Sequence, residues 1–87
     1  MNDLVTVRSA KYVSGYILEL TFSDGLRSEI DFVRWIEKYP FFAPLRDIEY
    51  FKDFKLDGWT VVWENGADVA PESLYEIARQ NLQLQTA

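Results

Sequence analysis

Three groups of residues have the types and spacing to do chemistry. Glu64, Asn65 and Asp68 lie within five positions of one another, and carboxylates beside an amide can carry general acid–base chemistry where no histidine is present. If Asn65-Gly66 forms a two-residue hairpin loop, Asp68 pairs with Trp63 and points to the apolar face, where an ionised carboxylate is costly unless hydrogen-bonded. A structural reading instead puts Asp68 at the hairpin's end, accepting backbone N–H bonds near the start of a helix opened by Pro71, because Ala70 at the capping position has no side-chain acceptor. A bulge that shifts the register is the third alternative.

The second group is Glu19, Glu29 and Asp31. A three-residue loop between their strands sets Glu19 opposite Glu29, with Asp31 further along the same face, a spacing able to hold a hard cation. The competing reading is a solvated charge lattice in which Arg8 and Arg27 sit diagonal to Glu19. The third group is aromatic. Ten of the 14 aromatics fall between Phe32 and Trp63, and they serve either as core or as a partner-binding surface, for which Tyr39, Phe41 and Phe42 are the candidates.

Composition narrows the rest. The 87 residues contain no Cys and no His, so thiolate nucleophiles, disulfides, imidazole bases and sulfur- or histidine-ligated metals are excluded. Neither a Gly-rich phosphate loop nor a metal or cofactor signature stands out, and no catalytic residue is assigned. Fourteen acidic against 9 basic residues give a net charge of −5, which disfavours direct nucleic-acid binding and favours a basic partner. Met1-Asn2-Asp3-Leu4 has neither the basic nor the apolar region of a signal peptide, and no apolar run suffices for a membrane span. The expectation is a cytoplasmic chain with no membrane association.

The elements that position these groups follow from periodicity. Residues 4–13, Tyr16–Phe22 and Leu26–Ile30 read as a three-stranded meander, with Leu18, Leu20 and Phe22 on one face. A three-residue Ser23-Asp24-Gly25 loop with Gly25 left-handed pairs Phe22 with Leu26 and Leu18 with Ile30, which keeps one face apolar. Asp31 caps a short helix carrying Phe32, Trp35, Ile36 and Tyr39. Pro40 ends that helix, an irregular apolar stretch follows, and Asp47 caps a further turn with Ile48 and Phe51. A two-residue Asp57-Gly58 turn would put Phe54, Leu56, Trp59, Val61 and Trp63 on one face and Lys55, Thr60 and Glu64 on the other. Pro71 opens a final helix with the stripe Leu74, Ile77, Ala78 and Leu82, and residues 83–87 are expected to fray. The prediction is one α+β domain over 1–87, ordered from about 4 to 82, with small antiparallel hairpin and meander sheets, two short helices and a C-terminal helix.

Three stretches carry a resemblance. Phe22-Ser23-Asp24-Gly25, Phe41-Phe42-Ala43-Pro44-Leu45 and Trp63-Glu64-Asn65-Gly66-Ala67-Asp68-Val69-Ala70-Pro71-Glu72-Ser73-Leu74-Tyr75 resemble the bacterial family called domain of unknown function 2442. The third stretch is the most specific, and Ala70 stands where the family often has Asp. The motif positions here are Asp24, Gly25, Trp63, Asn65, Gly66, Asp68, Pro71 and Tyr75. The resemblance implies no established activity; genes of the family often lie beside those of domain of unknown function 4160, in an arrangement that looks like a toxin–antitoxin pair. The sequence reading is thus a non-enzymatic interaction module, antitoxin-like or accessory to a small neighbouring-gene protein, with a homodimer also open. The alternative is a small-ligand or metal-binding enzyme using the carboxylates around Asp68.

Overall fold

The computed structural model describes residues 5–86, with side chains through Leu82; residues 1–4 and 87, and with them part of the expectation for the 83–87 tail, lie outside the described residues. Strands β1 (Val7–Ser14), β2 (Ile17–Phe22) and β3 (Arg27–Asp31) form an antiparallel sheet in that order. The alternation of β2 places Leu18, Leu20 and Phe22 in the core, and Leu18 pairs with Ile30 as the pattern predicts. The β2–β3 loop has three residues. The Phe22 amide donates to the Leu26 carbonyl (2.8 Å) and the Gly25 amide to the Phe22 carbonyl (2.9 Å), with Gly25 at φ 94°, a conformation that side-chain-bearing residues avoid. In β1 the register shifts between Val7 and Ser9. Beyond that bulge Ala10 and Tyr12 pack on the core and Val13 is exposed, because one extra residue exchanges the strand's two faces.

Helix α1 (Val33–Lys38) starts one residue later than the sequence suggests. Phe32 is the flanking residue, while the Asp31 carboxylate accepts from the Val33 amide (3.0 Å). The stretch after Pro40, expected to be irregular, is a 3-10 helix over Pro40–Arg46 that buries Phe42 and Leu45. Asp47 caps α2 (Ile48–Lys52) by accepting from the Glu49 amide (3.1 Å). Strands β4 (Lys55–Leu56) and β5 (Val61–Val62) form a second, two-stranded sheet, and α3 (Pro71–Thr86) closes the fold.

The β4–β5 turn departs from the Asp57-Gly58 expectation. Leu56 pairs with Val61, the Asp57 amide donates to the Thr60 carbonyl (3.2 Å), and Gly58-Trp59 occupy the tip with Gly58 at φ 98°. The Asp57 carboxylate decides this. It accepts from the Thr60 (3.0 Å) and Trp59 (2.9 Å) amides, and those two bonds hold its carboxyl below the usual range, since they favour the charged form. Trp59, expected on the buried face, is at the tip and exposed; Leu56, opposite Val61, is exposed too, and Thr60, expected on the polar face, is buried with its hydroxyl donating to the Val69 carbonyl (2.7 Å).

Most of the aromatic surplus is core. The Phe51 ring lies edge-on to Tyr16 (5.4 Å), Phe32 (5.9 Å) and Tyr12 (6.2 Å) and stacks on Trp63 (5.6 Å). Offset and edge-to-face pairs at such distances add to plain burial. The single turn of α2 thus joins the meander, α1 and the β5 strand into one core. Among the described residues no helix is long and apolar enough to cross a membrane.

Candidate interaction surface

The motif residues act first on the fold. Trp63 donates its indole N–H to the Phe51 carbonyl (2.8 Å), tying the hairpin to α2. The Trp63 amide donates to the Ala67 carbonyl (3.0 Å) and the Gly66 amide to the Trp63 carbonyl (2.8 Å), with Gly66 at φ 89°. This is a three-residue loop, Glu64-Asn65-Gly66, in place of the two-residue loop the Asn-Gly pair suggests. Moving the register by one residue turns every side chain over. Asp68 consequently lies opposite Val62, not Trp63, and is exposed, while Ala67 and Val69 are buried. The conflict between its charge and the apolar face disappears, and among the described residues its carboxylate caps neither α3 nor anything else.

Asn65 makes two bonds. Its Oδ1 accepts from the Ala67 amide (3.0 Å), closing the loop, and its Nδ2 donates to the Phe41 carbonyl (3.1 Å), 24 residues away. Asp24 repeats the device in the β2–β3 loop. One oxygen accepts from the Leu26 amide (3.0 Å) and the other from the Tyr75 hydroxyl on α3. The Tyr75 hydroxyl, then the Leu26 amide, lowers the Asp24 carboxyl below its ordinary value, and the same contact raises the Tyr75 phenol.

The carboxylate sites do not assemble. Glu64 lines a cavity of about 120 Å³ with Asp53, Lys55, Val62 and Trp63, and neither Asn65 nor Asp68 reaches it. Glu19 is opposite Glu29 as expected, but Lys11, not Arg8, faces it from β1. The Asp31 carboxylate is engaged on the Val33 amide. Among the described residues no group of three or more acidic side chains is placed to hold a metal, and every buried side-chain nitrogen or oxygen has a partner.

What is left without a partner is apolar surface. Phe41 is 57% and Tyr39 45% exposed, whereas Phe42 is only 7% exposed. Phe42 therefore leaves the candidate surface and joins the core, because the tight turns of the 3-10 helix send adjacent side chains to different sides. Pro40, Ala43 and Pro44 are exposed beside Phe41, which makes a continuous apolar strip. A groove of about 430 Å³ adjoins it at Tyr39, lined also by Arg34, Trp35, Lys38, Ser73 and Ile77. The spacing of Arg34 and Lys38, four residues apart on one face of α1, is the sequence signal for this groove.

Residues 7–80 match the family described as protein of unknown function (DUF2442). The match spans most of the chain and takes in all three Asx-Gly turns, the 3-10 helix and the first turns of α3. The chain belongs to the DUF2442 family. No curated protein and no solved structure matches it. In this DUF2442 domain Asp24, Trp63, Asn65 and Tyr75 hold elements together, Gly25 and Gly66 supply left-handed loop positions, and Pro71 is the first residue of α3. Of the motif positions only Asp68 is without a visible structural task.

Proposed function

We propose that this DUF2442 domain is a non-enzymatic interaction module, antitoxin-like or accessory to a small protein of the domain of unknown function 4160 family, and that the strip Tyr39-Pro40-Phe41 with Ala43 and Pro44 faces that partner. One observation carries the reading: Phe41 is largely exposed on a segment that is nonetheless fixed. Its carbonyl is held by Asn65, and Phe42 and Leu45 anchor it in the core. A rigid exposed aromatic loses little conformational freedom on binding and suits a hot spot. The net charge of −5 adds long-range attraction for a basic partner.

Co-expression with the neighbouring gene product and pull-down at low salt tests this. Phe41→Ser should weaken capture by about tenfold or more, as loss of a hot-spot aromatic does, and leave the thermal midpoint nearly unchanged. Failure of the two proteins to co-purify, or equal capture by the variant, refutes the reading.

A further inference from the structure

The groove between α1 and α3 carries a charge opposite to that of the domain as a whole. Its lining includes Arg34 and Lys38 and no carboxylate, in a chain with 14 acidic residues. Among the described residues the only ion pair within 4.0 Å is Lys55–Asp53, and neither groove cation has an ion-pair partner there. Each rests over a ring: the Arg34 guanidinium lies 5.6 Å from the Trp35 ring and the Lys38 ammonium 5.7 Å from that of Tyr39. Cations held on aromatic faces are restrained while keeping donors free for an anion.

A second hollow of about 370 Å³ shares Arg34 and Ile77 and extends the trough to Asn81, with Glu29 and Asp31 at its far end. From Ser73 to Asn81, α3 advances about 12 Å at ~1.5 Å per residue, the reach of about three or four extended residues. The floor is apolar at Ile77, one rim is cationic and the other end is acidic.

We propose that this trough docks an acidic peptide segment of a partner protein, with a carboxylate between Arg34 and Lys38 and a neighbouring apolar side chain over Ile77 and Trp35. Glu29 and Asp31 repel a second acidic residue at the other end, so the segment is acidic at one end and neutral or basic at the other. The proposal deepens the interaction-module reading and rests on it, but it does not use Phe41. It also refines the partner: a protein drawn in by the negative domain presents a locally acidic segment to this groove.

The probe is a random peptide library displayed on phage and selected against the immobilised full chain. Enriched peptides are then synthesised with a fluorophore and titrated by anisotropy at low and high salt. Enriched peptides should place Asp or Glu next to an aliphatic or aromatic residue. Arg34→Glu with Lys38→Glu should weaken them by about tenfold or more, high salt should weaken them too, and Phe41→Ser should leave them unchanged. If the charge reversals disturb the circular dichroism spectrum, Arg34→Gln with Lys38→Gln replaces them. Selection of basic peptides, enrichment of none, or equal binding by the charge variants overturns the proposal. Capture of the neighbouring gene product lost only with Phe41→Ser would leave the module reading standing while the groove fails.

Discussion

Replacing Asn65 by alanine removes the bond from the Ala67 amide and the one to the Phe41 carbonyl. A net hydrogen bond contributes about 1 kcal/mol, and a buried amide left without a partner costs about 1–3 kcal/mol. Ala67 is fully buried, so the expected loss is about 2 kcal/mol. An unfolding entropy of ~2.1 cal/mol/K per residue over 87 residues converts this to a drop of about 10 °C in Tm. Asn65→Asp keeps the acceptor and loses the donor, so about half of that loss is expected. Asp68→Asn, three positions on, should stay within about 0.5 kcal/mol, because the side chain is exposed and such substitutions are usually near neutral. Urea unfolding followed by tryptophan fluorescence and by circular dichroism measures all three, with an unchanged m-value showing that the denatured state is the same. A loss above about 1 kcal/mol for Asp68→Asn, with Asn65→Ala neutral, would mean that the loop closes with two residues and that Asp68 lies beside Trp63. The register would then be wrong, and with it the structural account of the motif.

Trp63→Phe removes the indole donor to the Phe51 carbonyl and part of a buried ring; about 2–3 kcal/mol should be lost in the same urea assay. Gly66→Ala should cost about 1 kcal/mol from its φ of 89° alone, because the nearest atom to the added Cβ is Phe41 Cζ at 4.0 Å, an ordinary contact. The Asp24 carboxyl is lowered first by the Tyr75 hydroxyl and then by the Leu26 amide. Its stabilisation is thus fully present above the unfolded carboxylate value of about 3.9 and is lost as pH falls through the lower folded value. Tyr75→Phe should flatten that acid-side loss in a stability–pH profile, and an unchanged profile refutes the link. Phe42→Ala should lose about 3 kcal/mol, whereas Phe41→Ser should lose little, which thermal melts of the two variants compare directly.

The meander was legible because its loop choice left a visible mark: only the three-residue loop keeps Leu18 opposite Ile30 and one face apolar. The Asn65-Gly66 loop carried the same information, since Trp63, Ala67 and Val69 alternate cleanly once Glu64-Asn65-Gly66 are the loop. There the general preference of Asn-Gly for two-residue turns masked it, and the misplaced Asp68 was the signal that the register was off by one. Asp57-Gly58 misled for another reason. A carboxylate that accepts from the two amides following Gly58 moves the turn one residue along the chain, and neither hydrophobic pattern nor Gly position records that. Tyr39 and Phe41 as candidate surface were readable from the aromatic surplus. The loss of Phe42 from that surface was not, because an irregular stretch has no period to assign faces, and the structure supplies one by making it a 3-10 helix.

Asp24 and Asn65 show what the motif does for the fold. Phe22-Ser23-Asp24-Gly25-Leu26 and Trp63-Glu64-Asn65-Gly66-Ala67 are the same five-residue unit: an apolar residue, a loop closed by an Asx side chain on the amide two residues ahead, a left-handed Gly, and an apolar return. In each unit the second polar atom of the Asx side chain reaches a distant element, Tyr75 on α3 in one and the Phe41 carbonyl of the 3-10 helix in the other. An Asx side chain with both polar atoms already engaged in structural hydrogen bonds has less capacity left for other partners. A domain that buries about 60–65% of its unfolded surface at this length has few interactions to spare, so its most distinctive polar residues are used to pin α3 and the 3-10 helix onto the sheets. On the proposed reading, recognition uses the parts those pins hold out to solvent, the Phe41 strip and the α1–α3 trough.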